Sequence, residues 1–291
     1  MKRNKIWMAA FLAPAIVLFL LIYAIPLVMV FGTSLFEYRL MPNRFEFIGI
    51  QNYIELLTTD PVFKQAFVNT ILWILIHCTL HVFLGTLLAF ILYKKPRGWK
   101  FVRVSYMIPN IISQSAIAMI FVNVFNPQYG VVNSVLGALG LEQFQHNWLF
   151  EQATAFPSVT MTWLLFAGYT TTLVLSQCLS VDESILEAAR VDGATGFQLD
   201  VFVMLPLVKK MIGTTVIMAA SYMLQLFSLI YITTGGGPQS ATTNLPLMLY
   251  QTAMKENNYG YANTIGVFII VLGVVSMVLI NKAFRMNESD Y

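Results

Sequence analysis

Six stretches of this chain run for about twenty residues or more without an Asp, Glu, Lys or Arg: Trp7–Phe31, Phe67–Tyr93, Val104–Phe125, Ala153–Gln177, Met211–Thr233 and Ala262–Asn281. A helix rises about 1.5 Å per residue, so each run is long enough to carry a helix across about 30 Å of hydrocarbon. The pattern predicts an all-α polytopic membrane protein, one transmembrane domain over residues 1–291, with six spans near 7–31, 67–93, 104–125, 153–177, 211–233 and 262–284. Polar residues concentrate between the runs. Gly32–Ala66, with "TTDPVF" as a helix-start signal, and Asn126–Gln152, with "NPQYG", predict short amphipathic helices and turns. "KKPRGWK" predicts a tight turn between spans two and three.

Composition agrees. At 57% hydrophobic residues, 11% charged and a mean hydropathy of +0.69, the chain has more apolar surface than a soluble core of 291 residues could hide. Lys2, Arg3 and Lys5 precede the first run as in a signal peptide, but the run is too long and no small-residue cleavage site follows, so an uncleaved helix is expected. Thirteen of the seventeen Lys and Arg residues fall on one side of a six-span topology, and Arg39, Arg44, Lys64 and Lys255 fall on the other. That asymmetry predicts both termini in the cytoplasm. The net charge of +3 reflects orientation, and no basic patch interleaved with aromatics points to nucleic acid. Cys78 and Cys178 lie inside predicted spans without metal-type spacing, which makes them packing residues; no metal site is expected.

The segment 180–210, "SVDESILEAARVDGATGFQLDVFVMLPLVKK", reads as two short helices joined by a turn. Ser180 followed by Glu183 has capping-box spacing, "ESILEAARV" holds good helix formers, and Gly193 after Asp192 supplies the residue that takes positive φ at a helix end. Thr195 is placed to cap the second helix and Pro206 to mark its end. The segment is too short for a domain, which leaves a compact knob at the membrane face. Such a knob is either an interfacial helix of the kind any polytopic protein carries or a docking element.

The order Glu187-Ala188-Ala189, two residues, Asp192-Gly193-Ala194, then Leu205-Pro206 ahead of the penultimate span, resembles the "EAA" loop of permease subunits of binding-protein-dependent ABC importers. "YITTGGGPQSATTNLPLMLYQTAMKENNYGYANTIGV" resembles the region between the last two helices of sugar-importing members, the maltose-type and related glycerol-phosphate permeases. The resemblance implies that Glu187, Ala188, Ala189, Asp192, Gly193 and Ala194 form a coupling helix seated in a cleft of a cytoplasmic ATPase, with Leu205 and Pro206 ending the segment. It also implies a second homologous permease, an ATPase dimer that binds ATP and magnesium, an extracellular or periplasmic solute-binding protein, a sugar cargo, a bacterial or archaeal cytoplasmic membrane, and alternating access. The sequence departs from the family at Asp200, where many members carry an aromatic residue.

No G-x-x-x-x-G-K-[ST] occurs; "GGGPQSATT" lacks the lysine and reads as an irregular turn ending span five, so ATP hydrolysis is expected in a partner and none here. Polar residues inside spans mark a substrate path or interhelical hydrogen bonds. Span five carries Ser221, Gln225, Ser228 and Ile232 on one helical stripe, flanked by Tyr222 and Phe227, whose aromatic faces and neighbouring amides suit a polyhydroxylated ring; it is favoured as the path because the resemblance to maltose-type permeases implies that this helix bears the substrate contacts. Span three carries Asn110, Ser113, Gln114 and Phe121, for which interhelical bonding is favoured. Asn69, Trp73, His77 and His81 form a stripe on span two, read as neutral histidines bonded to neighbouring helices in preference to a proton relay or a metal pair, since a relay needs carboxylates and no span contains one. An ion-driven secondary transporter predicts ionisable residues at midmembrane and is the rival reading; a membrane-embedded hydrolase lacks a Ser/His/Asp set.

Overall fold

The structure, a computed structural model, describes residues 2–287. In chain order its elements are α1 (Phe11–Thr33, within a helix that begins at Lys2), a hairpin of β1 (Phe36–Arg39) and β2 (Arg44–Phe47), α2 (Gln51–Thr58), α3 (Pro61–Tyr93), α4 (Trp99–Ile111), α5 (Gln114–Val124), α6 (Val131–Ala138), α7 (Gln152–Leu179), α8 (Glu183–Val191), α9 (Leu199–Met223), α10 (Ser228–Thr233), α11 (Leu245–Met254) and α12 (Tyr259–Phe284). Helices α1, α3, α7, α9 and α12 are each long and apolar enough to cross a membrane, and α4 with α5, bent by 101°, makes a sixth crossing when the pair is taken together. Helix is the expected state, because hydrocarbon offers backbone N–H and C=O groups no partner other than their own ladder.

Contacts divide the chain into two compact units, Met1–Lys64 with Met248–Val271, and Gln65–Leu247 with Leu272–Tyr291. In the first, the hairpin pairs Phe36 with Phe47 and Arg39 with Arg44, and Asn52 Nδ2 fastens its base to the Ser34 and Phe36 carbonyls at 2.9 and 3.1 Å. Gly260 permits close approach of α12 to β1, since a Cβ there would sit 2.0 Å from the Phe36 carbonyl oxygen. The "TTDPVF" signal acts as expected: Asp60 Oδ1 accepts the Val62 and Phe63 N–H groups at 2.8 and 3.0 Å and caps α3. The hairpin was not expected within Gly32–Ala66, and it is the one strand pairing among the described residues of an otherwise helical chain.

In the second unit, three expectations about the spans are corrected. The expected span over 104–125 is broken: residues 112 and 113 are extended and Ser113 caps α5 by accepting the Ala116 N–H at 3.3 Å, so Asn110, Ser113, Gln114 and Phe121 share no continuous stripe. The expected span over 211–233 starts earlier and ends earlier, at Leu199–Met223, because Lys209 and Lys210 can run their charges toward water from inside a helix and need not end it. Residues 224–227 then leave the helix before α10, so Ser221 and Gln225 do not align with Ser228 and Ile232. The core of this unit gathers Trp73, Val159, Trp163, Met223, Leu226 and Ile230.

Candidate functional site

The knob is α8 and the turn after it. Its N-cap is Asp182, whose carboxylate accepts the Ser184 N–H at 3.0 Å; that hydrogen bond holds the Asp182 carboxyl below its usual range. Ser180, the expected cap, instead donates to the Gln177 carbonyl at the end of α7, and the expected Ser180/Glu183 box does not form. The C-terminus behaves as the sequence implies. Gly193 has φ +90°, its N–H donates to the Arg190 carbonyl at 3.0 Å, and the Ala194 N–H donates to Ala189 at 2.9 Å. These are the two bonds of a Schellman motif with Gly193 at its left-handed position. Thr195 contributes its backbone, donating to Gln198 Oε1 at 3.5 Å and accepting the Gln198 N–H. From there the chain enters α9, whose first six residues form a wide π-type turn (Leu199–Met204) that continues into regular helix without stopping. Pro206 therefore lies within a continuous helix and not at the end of a second short one, which its place in the first turn of a regular segment allows.

A single leucine anchors this knob. Leu186 is 1% exposed, inside a cluster of Ala89 and Leu92 from α3, Val174, Leu175 and Cys178 from α7, and Met204 and Val208 at the head of α9. Burying it is worth roughly 2 kcal/mol. Glu187, Ala188, Asp192 and Gly193 are exposed and Ala189 and Ala194 half-buried, while Val191, at 87% exposed, presents an apolar face to the surroundings. Leu205 and Pro206 are exposed on α9. Lys94, at the end of α3, reaches Asp200 at 2.5 Å, so the departure from the family at that position carries an ion pair.

The second feature is a cavity of about 380 Å³ into which four helix interruptions of this unit open. His77 and His81 come from a π turn in α3, Asn110, Ile112 and Gln114 from the α4–α5 bend, Trp163, Phe166 and Tyr169 from a break in α7 at 165–167, and Tyr222 and Leu229 from either side of the α9–α10 break. Each interruption frees backbone groups, and side chains take them up. His81 Nδ1 pairs with the Leu164 carbonyl at 2.9 Å and, as that oxygen only accepts, Nδ1 carries the proton. Asn244 Nδ2 donates to the Leu226 carbonyl at 2.6 Å. The two imidazoles lie 4.0 Å apart by ring centroid, and His77 stacks on Trp163 at 4.8 Å. Gly168 makes the crossing of α7 and α4 possible: a Cβ there would fall 2.0 Å from the Tyr106 carbonyl oxygen.

Of the residues singled out for a path, Asn110, Gln114 and Tyr222 line this cavity, and Ser221, Gln225, Phe227 and Ser228 do not. Gln225 bonds back to the Ser221 carbonyl at 3.2 Å, and Phe227 stacks on Tyr231 at 5.3 Å. The reading of His77 and His81 as histidines bonded to neighbouring helices agrees with the His81–Leu164 bond but does not place them on a cavity wall. No Lys, Arg, Asp or Glu is among the lining residues. Asn69 holds the "GGGPQSATT" loop, donating to the Ala241 and Thr243 carbonyls at 3.0 and 2.8 Å. Within the loop Thr234 and Thr242 share a 2.6 Å hydrogen bond, and Gly236 sits at φ +95° where a Cβ would meet Thr243 Oγ1 at 2.5 Å. The loop is a closed turn in which the Gly236, Gly237, Ala241, Thr242 and Thr243 N–H groups are all bonded within it or to Thr234.

A family model described as "Binding-protein-dependent transport system inner membrane component" matches residues 81–285. The chain is 34% identical to the probable ABC transporter permease protein YurN of Bacillus subtilis, covering 99% of each, and 32% identical to the multiple sugar-binding transport system permease protein MsmF of Streptococcus mutans, covering 98% of this chain and 97% of that one. A solved chain of a bacterial alginate ABC transporter, in complex with an alginate-bound periplasmic protein, superposes with a TM-score of 0.84 over 97% of this chain and 95% of its own, at 22% identity.

Proposed function

As the chain belongs to the family of binding-protein-dependent transport system inner membrane components, we propose that it is the permease subunit of an importer for a sugar, most simply an oligosaccharide. An external solute-binding protein delivers the cargo, a second homologous permease completes the path, and a cytoplasmic ATPase dimer holding ATP and magnesium supplies the work. In this reading both termini and the knob face the cytoplasm of a bacterial or archaeal cell. Relatives such as the S. mutans permease, named for multiple sugar transport, support a sugar cargo.

The observation that carries the reading is the build of the knob. A Schellman-turned helix exposes Glu187, Ala188, Asp192 and Gly193 while Leu186 is gripped between α3, α7 and α9, so a push on the exposed turn is delivered to three spans at once. ATP binding would draw two such knobs together and open the path outward, and hydrolysis would release them. Amides, hydroxyls and aromatic faces around the cavity suit a polyhydroxylated ring. The uncharged lining favours this over a glycerol-phosphate-type solute, and the absence of ionisable carboxylates there argues against an ion-driven secondary transporter. The test is Gly193→Pro, which cannot take φ +90°. The variant should insert and assemble with its permease partner yet lose ATP-driven uptake in membrane vesicles. Uptake at the parental rate would remove the knob from the mechanism.

A further inference from the structure

The turn between α3 and α4 and the first part of α4 carry Lys95, Arg97, Lys100 and Arg103 within nine residues, and the nearest acidic residues in sequence are Asp60 and Glu142. Lys94, just before them, is neutralised by Asp200. None of the four is in an ion pair among the described residues. Lys100 Nζ lies 5.9 Å over the Trp99 ring, and Trp99 in turn packs on the Leu186 cluster, so this cation is positioned without being neutralised. Gly98, at φ +86°, turns the chain so that α4 begins at once.

Along α4, Lys100, Val104, Ile108 and Ile111 follow at i, i+4, i+8 and i+11, and with Phe101 they fall inside an arc of about 100° on the helix wheel. Phe101, Val104, Ile108 and Ile111 are all among the exposed large hydrophobic residues. From Lys100 to Ile111 the stripe is roughly 16 Å long, about half the ~30 Å hydrocarbon thickness. One surface thus combines a leaflet's depth of exposed apolar side chains with unneutralised cations at its end.

We propose that this surface binds an anionic phospholipid, with its phosphate on Lys95, Arg97 and Lys100 and an acyl chain along Phe101, Val104, Ile108 and Ile111. The orientation rule asks only that cations lie somewhere in a loop on this side; it does not ask that they be free of carboxylates or aligned with an apolar stripe. A protein partner is the less favoured occupant, because it would have to bring carboxylates matched to four cations beside an apolar stripe, whereas a phospholipid carries its anion and its acyl chain in one molecule. The site depends on the chain spanning a membrane and not on what it imports, so it stands or falls separately from the transport reading.

The full chain in a neutral detergent, titrated with phosphatidylglycerol or phosphatidylcholine and read by native mass spectrometry and by melting temperature, tests this. Phosphatidylglycerol should be retained and should raise the melting temperature well beyond phosphatidylcholine. At about fivefold per surface cation, Lys95→Gln/Arg97→Gln/Lys100→Gln should weaken its retention on the order of a hundredfold. Lys95→Arg/Lys100→Arg should keep it, and both variants should match the parent without lipid, which separates lost binding from lost folding. Equal retention of the two lipids, or a triple variant that binds like the parent, would overturn the proposal. So would stabilisation by millimolar inorganic phosphate alone, which would make this a free-anion site, or loss of lipid selectivity once a co-expressed ATPase is bound, which would assign the surface to that protein.

Discussion

Helix α1 has a mean hydropathy of 2.7 in its most apolar window and buries none of it inside the chain, whereas α7, at 1.3, buries 67%. Helix α12 sides with α1, at 2.5 and 17%. In a soluble protein the order would be reversed, because water drives apolar side chains inward. Here hydrocarbon is the solvent, so leucine and valine gain little by leaving it, and inward positions go to side chains that can bond one another. Helix α7 shows what that means. Thr162 Oγ1 donates to Val159 at 2.6 Å, Thr171 Oγ1 to the Gly85 carbonyl of α3 at 3.1 Å, and Thr160 Oγ1 accepts the Trp73 indole N–H at 2.8 Å. Along α1 side-chain bonds come at its end, where Thr33 Oγ1 donates to the Met29 carbonyl at 2.6 Å and Ser34 Oγ to the Phe31 carbonyl at 2.7 Å, while Phe11, Ile22 and Val28 are exposed.

The most severe way to break the contrast is to add volume at matched glycines. Gly168→Leu in α7 would drive side-chain atoms through the Tyr106 carbonyl, which already lies 2.0 Å from where a Cβ must go, and overpacking of this kind should cost more than about 3 kcal/mol. Gly32→Leu at the end of α1 meets nothing within 4 Å and should be silent. Folded yield and melting temperature in detergent check the pair; equal behaviour would mean that α1 is as tightly packed as α7. Next comes charge in the opposite helix: Ile22→Asp, midway along α1, should cost about 3 kcal/mol of insertion free energy, read as a shift in the inserted fraction in a membrane-targeting assay. Insertion at the parental level would show that Ile22 faces a polar cavity and not lipid.

The same contrast explains which features were legible beforehand. Charge-free runs report where hydrocarbon lies, so the crossings could be read directly, and Gly193 could be read because few other residues take its φ. Exchanging lipid for protein contact changes hydropathy little, so nothing in "LQLF" at 224–227 announces that α9 stops there. The cause lies in Asn244, which takes the Leu226 carbonyl from eighteen residues away. For the same reason His77 and His81 could be placed on a stripe but not on a cavity, whose other walls come from three distant interruptions. Lys209 and Lys210 misled in the other direction by suggesting a boundary inside a helix. The coupling role proposed for Glu187 to Ala194 rests on the family resemblance alone, and the structure adds what no motif contains, the burial of Leu186 in the same short helix.

A milder change sharpens the interior side. Thr160→Val keeps the shape of α7 and removes the acceptor of the buried Trp73 N–H, which should cost about 1 to 3 kcal/mol because the indole donor is then left unpaired. Adding Trp73→Phe removes that orphan and should recover part of the loss. If the double variant were as unstable as the sum of the singles, the bond would not be contributing to stability.

The smallest effect lies where lipid ends and water returns as the solvent. Lys94 and Asp200 pair at 2.5 Å with side-chain exposures of 52% and 18%, so most of their attraction is screened and the pair should contribute less than about 1 kcal/mol to stability. Lys94→Asp combined with Asp200→Lys should melt close to the parent, while each single change places like charges together and should lower the melting temperature slightly, more at low salt than at high. Transport is the more sensitive measurement, because the pair ties the end of α3 to the wide turn through which the knob joins α9. Under the transport reading, the complex assembled with each single variant should hydrolyse ATP at near-parental rate while moving less sugar per ATP, and the swap should restore the ratio. A ratio unchanged in the single variants would leave Leu186 and its apolar neighbours as the whole of the mechanical link.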